Sequence, residues 1–216
     1  MSELLAKAIV SYLLGSVVGS LFVGRLRGGI DIRTLGSGNP GGTNALRTQG
    51  KSFAFWVFCI DLGKGFVAAH VIGPALVPGI AAASGELRLW LPTGCAAAAI
   101  LGHVYPAWHG FRGGKGVATL LGAVLGINAW LVMPMLLTWL VAVVVFGFVG
   151  LGSMLAAAVL PIWVILRHVQ PEEPLVAFGL FATLLIAFTH RGNLARMRMG
   201  REPRAERLWL LGRGRS

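Results

Sequence analysis

The chain has 216 residues, 56% of them hydrophobic and 12% charged, about half the charged share of a soluble domain. That balance excludes an ordinary soluble domain, and several apolar runs approach the roughly 20 residues needed to cross a hydrocarbon core, so a polytopic membrane protein is expected. The formal net charge of +11, from 19 Lys and Arg against 8 Asp and Glu, is read as cationic loops facing anionic lipid on the cytoplasmic side and not as a nucleic-acid surface.

The first apolar run covers residues 4–24, with Glu3 and Lys7 at its start and Arg25, Arg27 and Arg33 after it. A cleaved signal peptide has its positive charges before the run, so this one reads as a retained helix with its N-terminus outside. Gly15, Ser16, Gly19, Ser20 and Gly24 give it a small-residue stripe suited to close helix packing. A polar cluster follows, Leu35-Gly-Ser-Gly-Asn-Pro-Gly-Gly-Thr-Asn-Ala-Leu-Arg47. The next run, from Phe53 to about Ile80, carries Asp61 and Lys64 three residues apart on one helical face. Charges inside a membrane are costly, so the two either neutralise each other or reach a polar cavity, where Lys64 adds positive field. Cys59 and Cys95 fit no metal or redox spacing and read as packing residues.

A run from about Leu89 to Ala107 delivers a second polar stretch, from Gly102-His-Val-Tyr-Pro to Gly113-Gly-Lys-Gly-Val-Ala-Thr119, with His109 and Arg112 between. Residues 117–127 are apolar but short, and runs at 131–148, 151–166 and 175–189 complete the set. The third cluster is Thr189-His-Arg-Gly-Asn-Leu-Ala-Arg-Met-Arg-Met-Gly-Arg-Glu202.

The expected fold class is therefore all-α, a polytopic membrane bundle of about seven transmembrane helices with the N-terminus outside and the C-terminus cytoplasmic. Residues 1–216 form one membrane-embedded domain, with cytoplasmic motif loops at about 25–51, 102–119 and 190–216. The positive-inside rule supports the orientation. The inner loops collect Arg25, Arg27, Arg33, Arg47, Lys51, Arg112, Lys115 and the arginines from Arg191 to Arg215, whereas the outer side keeps Lys7, Arg88 and Arg167. All three polar clusters then face the cytoplasm.

The clusters have the chemistry of an anion site, and phosphate is the expected guest. In the first, Gly36, Gly38, Gly41 and Gly42 give a backbone able to wrap a ligand. Ser37, Asn39, Thr43 and Asn44 supply donors, and Arg47 supplies a bidentate fork. The bland alternative is a loop that merely caps the next helix. In the second, Lys115 is the candidate phosphate holder and Arg112 a further cation, while His103 either braces a broken helix or meets substrate. His190 and Asn193, three apart, share a face where a helix continues. Glu202, the one acid of its cluster, is read as a structural ion-pair partner of a nearby arginine.

The lysine loop is not a P-loop, because His109 stands five residues before Gly114 and Gly116 follows Lys115 where a Ser or Thr is needed. There is no metal constellation and no Ser-His-Asp order. The His-x-x-x-x-Asp motif of common glycerolipid acyltransferases is also missing: Trp108, Gly114 and Ala195 stand five positions past His103, His109 and His190.

Taken together, Ser37-Gly-Asn-Pro-Gly-Gly-Thr-Asn-Ala-Leu-Arg47, Gly102-His-Val-Tyr-Pro with Gly113-Gly-Lys-Gly-Val-Ala-Thr119, and His190-Arg-Gly-Asn-Leu-Ala-Arg196 with Gly200-Arg-Glu202 resemble, in order and spacing, the three motifs of the PlsY family. These are the bacterial acyl-phosphate:glycerol-3-phosphate acyltransferases. The resemblance implies seven transmembrane helices in the bacterial inner membrane, with a site facing the cytoplasm. The implied reaction carries a fatty acyl group from acyl phosphate to the 1-hydroxyl of sn-glycerol 3-phosphate, releasing lysophosphatidic acid and phosphate. It implies Ser37, Arg47, Lys115, His190 and Asn193 as the catalytic set, with His190 and Asn193 orienting the glycerol. Gly38, Asn39, Gly41, Thr43, Asn44, Lys64, His103, Arg112, Gly113 and Gly114 are expected to bind substrate, and Asp61 and Glu202 to be structural. No cofactor, metal or nucleic-acid partner is expected, membrane lipid is, and the chain is expected to be monomeric. The proton acceptor is either the acyl phosphate's own phosphate or His190. A transporter or channel for phosphate or a phosphorylated metabolite is the alternative, although such sites lie at mid-membrane between repeated halves.

Overall fold

The computed structural model describes residues 2–206 and 208–210, and among these the regular structure is helical with no strand. Arg207, Arg213 and Arg215, counted above with the inner-face arginines, lie outside the described residues. The chain divides into two compact units, Met1–Asn128 and Ala129–Ser216.

The first unit opens with two helices where the sequence suggested one. α1 (Ser2–Gly15) and α2 (Gly19–Leu26) meet at a bend of 46°. Small residues with weak helix propensity sit on both sides of the break, and Val18 adopts an extended conformation. Such a break leaves the last carbonyls of α1 and the first N–H of α2 without helical partners, which a membrane interior does not tolerate. Both gaps are filled from α4 (Lys51–Phe66). Lys64 Nζ donates to the carbonyls of Gly15 at 2.9 Å and Val17 at 2.7 Å, and Asp61 Oδ1 accepts the Gly19 N–H at 3.0 Å. A cation thus sits at a helix C-terminus and an anion at a helix N-terminus, as the helix dipoles favour.

α3 (Gly42–Gln49) precedes α4, and a π-helical stretch, Val67–Ile72, extends α4 into one apolar span, Lys51–Ile72. That span ends at Ile72, short of the expected Ile80. α5 (Glu86–Leu89), α6 (Leu91–Val104) and α7 (Val117–Ile127) complete the unit. α1 packs on α6 and α4 on α7. Both seams run over glycine: Gly15 lies on the Ala99 backbone, Gly102 on Tyr12 and Ser16, and Gly65 and Gly122 on Thr119 and Leu62. A Cβ at any of these positions would meet facing backbone, so the close approach requires glycine. At the start of α1, Glu3 and Lys7 form a buried ion pair at 2.7 Å. Glu3 accepts the Ala83 N–H and Lys7 donates to the Gly73 carbonyl at 2.7 Å, tying residues 73–83 to α1.

In the second unit α8 (Val132–Phe146), α9 (Val149–Arg167) and α10 (Glu172–Thr189) pack in sequence, and α11 (Arg191–Arg198) follows. Pro161 inside α9 cannot donate to the Ala157 carbonyl. Thr183 Oγ1 of α10 lies 3.0 Å from that carbonyl and 2.7 Å from its own Gly179 carbonyl, so its one hydroxyl hydrogen is within reach of either. The tail folds back over the turn between α8 and α9. Ala205 N–H donates to the Gly147 carbonyl at 2.8 Å, and the Arg204 guanidinium lies over the rings of Phe148 and Trp209.

Among the described residues four helices are long and apolar enough to cross a membrane, and the bent α1–α2 pair is a fifth if it is counted as one span. α6, with 14 residues, and α7, with 11, are shorter than a straight crossing needs.

Candidate active site

The first motif loop is built around one buried amide. Asn44, 3% exposed on α3, accepts the Ser37 N–H at 3.0 Å and donates to the carbonyls of Leu35 at 2.9 Å and Ile32 at 3.3 Å. Gly36 passes so close above it, at a positive φ of 56°, that a Cβ would overlap the Asn44 Oδ1. Asn44 is therefore the frame of the loop and not a ligand donor. Ile32 and Ala45 pin the loop to a core with Val18, Leu21, Phe53 and Val57. Ser37 is left exposed beside Gly38, while Thr43 and Arg47 are exposed one turn apart on α3. Asn39 and Gly41 close the approach to that helix, with the Gly41 N–H on the Asn39 carbonyl at 2.9 Å. The first-turn N–H groups and positive dipole end of a helix suit an anion.

The second loop is folded by glycine as well. The N–H groups of Gly113 and Gly114 donate to the carbonyls of Val104 and His103, both at 3.1 Å, so residues 105–112 return onto the end of α6. Gly113 packs on Pro106 and Gly114 on the His103 ring, with no room for a Cβ at either. Expected to cradle substrate, these two glycines have their donors taken by the protein itself. Gly116, left-handed at φ 87°, starts α7. Lys115 is held half-buried between these anchors.

The two loops meet. A cavity of about 460 Å³ is lined by Asp31, Arg33, Thr34, Gly38 and Pro40 from the first and Arg112 and Gly113 from the second. Asp31 and Arg33 were not singled out as site residues from the sequence, although they immediately precede the glycine-rich motif. Arg33 pairs with both Asp31 carboxylate oxygens, closest at 2.8 Å, and donates to the His109 carbonyl at 3.3 Å, clasping one loop to the other. Hydrogen bonding from Arg33 holds the Asp31 carboxyl below its ordinary pKa, so its charge persists to lower pH than a free aspartate's. Burial, and then the Arg33 charge, push the His109 imidazole pKa down, which favours its neutral form.

Beneath the lysine loop lies a buried network. Lys64 Nζ is 2.9 Å from Asp61 Oδ1 and 2.8 Å from His103 Nδ1, in addition to its two carbonyl partners. An ammonium has three hydrogens. Lys64 has none to spare for substrate, contrary to its expected binding role, and Asp61 serves as its structural counter-ion.

The third cluster belongs to the second unit. His190 joins α10 to α11, and its Nδ1 lies 2.8 Å from the Ile186 carbonyl. A carbonyl can only accept, so Nδ1 carries the hydrogen and, in the neutral ring, Nε2 keeps its lone pair. Asn193 Nδ2 donates to Glu202 Oε1 at 2.6 Å, and Arg196 Nε to Glu202 Oε2 at 2.7 Å. The Glu202 side chain is 7% exposed. Glu202→Ala leaves two donors without their acceptor and is expected to cost about 1–3 kcal/mol. Thermal unfolding of the detergent-solubilised variant reads this directly, and an unchanged midpoint would contradict it.

The family profile described as "Glycerol-3-phosphate acyltransferase" matches residues 5–200. A glycerol-3-phosphate acyltransferase of Thioalkalivibrio sulfidiphilus (strain HL-EbGR7) is 44% identical over 203 residues, covering 93% of this chain and 94% of that protein. One of Zymomonas mobilis subsp. mobilis (strain ATCC 31821 / ZM4 / CP4) is 39% identical over 207 residues, covering 90% and 92%. The crystal structure of PlsY, an integral membrane glycerol 3-phosphate acyltransferase, in its glycerol 3-phosphate form superposes with a TM-score of 0.78 at 31% identity, covering 93% of this chain and 94% of that one. Its lysophosphatidic acid form gives a TM-score of 0.77 at 30% identity, with the same coverage. The chain is thus an all-helical integral membrane protein, and it belongs to the glycerol-3-phosphate acyltransferase family, the PlsY family.

Proposed function

We propose that this acyltransferase takes its acyl group from acyl phosphate and passes it to the 1-hydroxyl of sn-glycerol 3-phosphate, on the cytoplasmic side of the bacterial inner membrane. The cavity between two glycine-rich loops, where Asp31 balances Arg33 and Arg112 supplies the excess positive charge, carries the proposal. Two phosphate-bearing substrates repel each other, and only a cationic setting brings them together. The solved relative has a glycerol 3-phosphate form and a lysophosphatidic acid form, matching an acceptor and its acylated product. The family profile spans both units, which supports one acyltransferase domain over residues 1–216. Counting α6 and α7 as crossings gives seven segments with the N-terminus outside, and the arginine asymmetry supports that orientation. The enzyme acts as a monomer in contact with membrane lipid.

In the proposed step the glycerol hydroxyl oxygen attacks the acyl carbonyl carbon and the carbon–oxygen bond to phosphate breaks. The hydroxyl proton passes to the departing phosphate. A mixed anhydride carries its own leaving group, so no metal or cofactor enters. Lys115 and Arg47 stabilise the charge that leaves, and Arg112 holds phosphate in the cavity. Ser37, Asn39 and Thr43, with the backbone of Gly38 and Gly41, present donors to phosphate and to the carbonyl oxyanion. His190 Nε2 and Asn193 orient the glycerol.

The test is release of phosphate, with formation of lysophosphatidic acid, by purified protein in detergent given acyl phosphate and glycerol 3-phosphate. Release is expected to need both substrates. Its absence from well-folded protein would sink the proposal and turn attention to phosphate uptake in proteoliposomes. Gln can accept a hydrogen bond near the position of His190 Nε2 but cannot take a proton. His190→Gln is therefore expected to keep kcat within about tenfold. A far larger fall in kcat with KM unchanged would make His190 the base.

A further inference from the structure

The buried Asp61–Lys64–His103 network has no role in the reaction written above, yet it lies directly under the loop that carries Lys115. Two of the Lys64 hydrogens go to the Gly15 and Val17 carbonyls. The third is left between Asp61 Oδ1 at 2.9 Å and His103 Nδ1 at 2.8 Å. His103 Nδ1 and Asp61 Oδ1 are 3.3 Å apart, beyond the range of a good N–H···O bond. Two N–H groups cannot face each other at 2.8 Å, so Nδ1 is the acceptor and Nε2 carries the ring hydrogen. Nε2 is the ring atom against which Gly114 lies, and the His103 carbonyl receives the Gly114 N–H at 3.1 Å. Ring and carbonyl of one residue therefore seat the corner that precedes Lys115.

We infer that Asp61 and Lys64 are positioning residues: they fix His103 as its Nε2–H tautomer, and His103 in turn sets where Lys115 stands. The inference rests on the proposed role of Lys115 at the leaving phosphate. An asparagine at 103 offers an amide oxygen near the Nδ1 position, whereas a glutamine reaches towards Nε2 and leaves Lys64 without its ring acceptor. His103→Asn is expected to keep kcat within about fivefold of wild type. His103→Gln is expected to lose on the order of 10–100-fold in kcat, with the KM for glycerol 3-phosphate little changed, the usual scale for a group that orients a functional one. Spectra of protein labelled with ¹⁵N-histidine, with His103 assigned by its loss in the asparagine variant, are expected to show the Nε2–H tautomer and a change in Lys64→Gln.

Glutamine as active as asparagine at any level of activity would overturn the inference, as would an Nδ1–H tautomer. If both variants fail to fold, as judged by gel filtration and melting, the wild-type tautomer alone decides. Wild-type protein that releases no phosphate would refute the proposed reaction and leave the tautomer measurement to judge the network by itself.

Discussion

Lys115→Ala is expected to lower kcat by on the order of 10³-fold while the protein keeps its fold. Lys115 is half-buried between two glycine anchors at the start of α7, where the helix dipole adds to its charge. A cation aimed at a leaving phosphate in a place poor in water acts far more strongly than one in bulk solvent. The hydrogen bonds that shape the loop come from the backbones of Gly113 and Gly114, which the substitution leaves alone. Initial rates of phosphate release, read beside the melting temperature, separate lost chemistry from lost structure. A loss of only a few-fold in a normally melting protein would move the charge-stabilising role to Arg47 or Arg112.

Asp61→Leu is expected to destabilise the first unit by about 3–5 kcal/mol, because it leaves the Lys64 ammonium buried without its counter-ion. Both side chains are at most 3% exposed. Lys64→Met leaves the opposite charge stranded at a similar cost. The double variant is expected to cost less than the two single losses together. It does not return to wild type, because the Gly15 and Val17 carbonyls and the Gly19 N–H remain unsatisfied, at about 1–3 kcal/mol each. A double-mutant cycle in reversible detergent unfolding measures this, and strictly additive losses would contradict a coupled pair.

The helical membrane class and the family were both legible in the sequence, since mean composition and three motifs in register survive without any knowledge of contacts. The donor types of the first loop were legible too, but not which donors turn inward. Asn44 and Ser37 are seven residues apart and chemically alike, and only the fold makes one a brace and leaves the other exposed. Gly113 and Gly114 look like a phosphate cradle until their N–H groups are found on the carbonyls of α6. The bend in the first span was hidden because apolarity continues across residues 16–18, and hydropathy does not register a lost hydrogen bond. Asp61 and Lys64 could be paired from their spacing, but their third partner, His103, is 39 residues further along the chain from Lys64. The Asp31–Arg33 clasp resembled an ordinary basic loop flank until its second anchor, the His109 carbonyl, was in place.

The broken first span also has a consequence for how the chain is made. Gly19 leaves the ribosome 42 residues ahead of the aspartate that completes its backbone. Until that aspartate arrives, the break at residues 16–18 leaves exposed carbonyls and an unmet Gly19 N–H, a poor candidate for release into lipid on its own. The first span is therefore expected to enter the bilayer jointly with α4, and the charges that make α4 costly to insert are offset by the break they repair. Joint release of the two is the expected order, and crosslinking of arrested nascent chains that found the first span alone in lipid before Asp61 had emerged would contradict it.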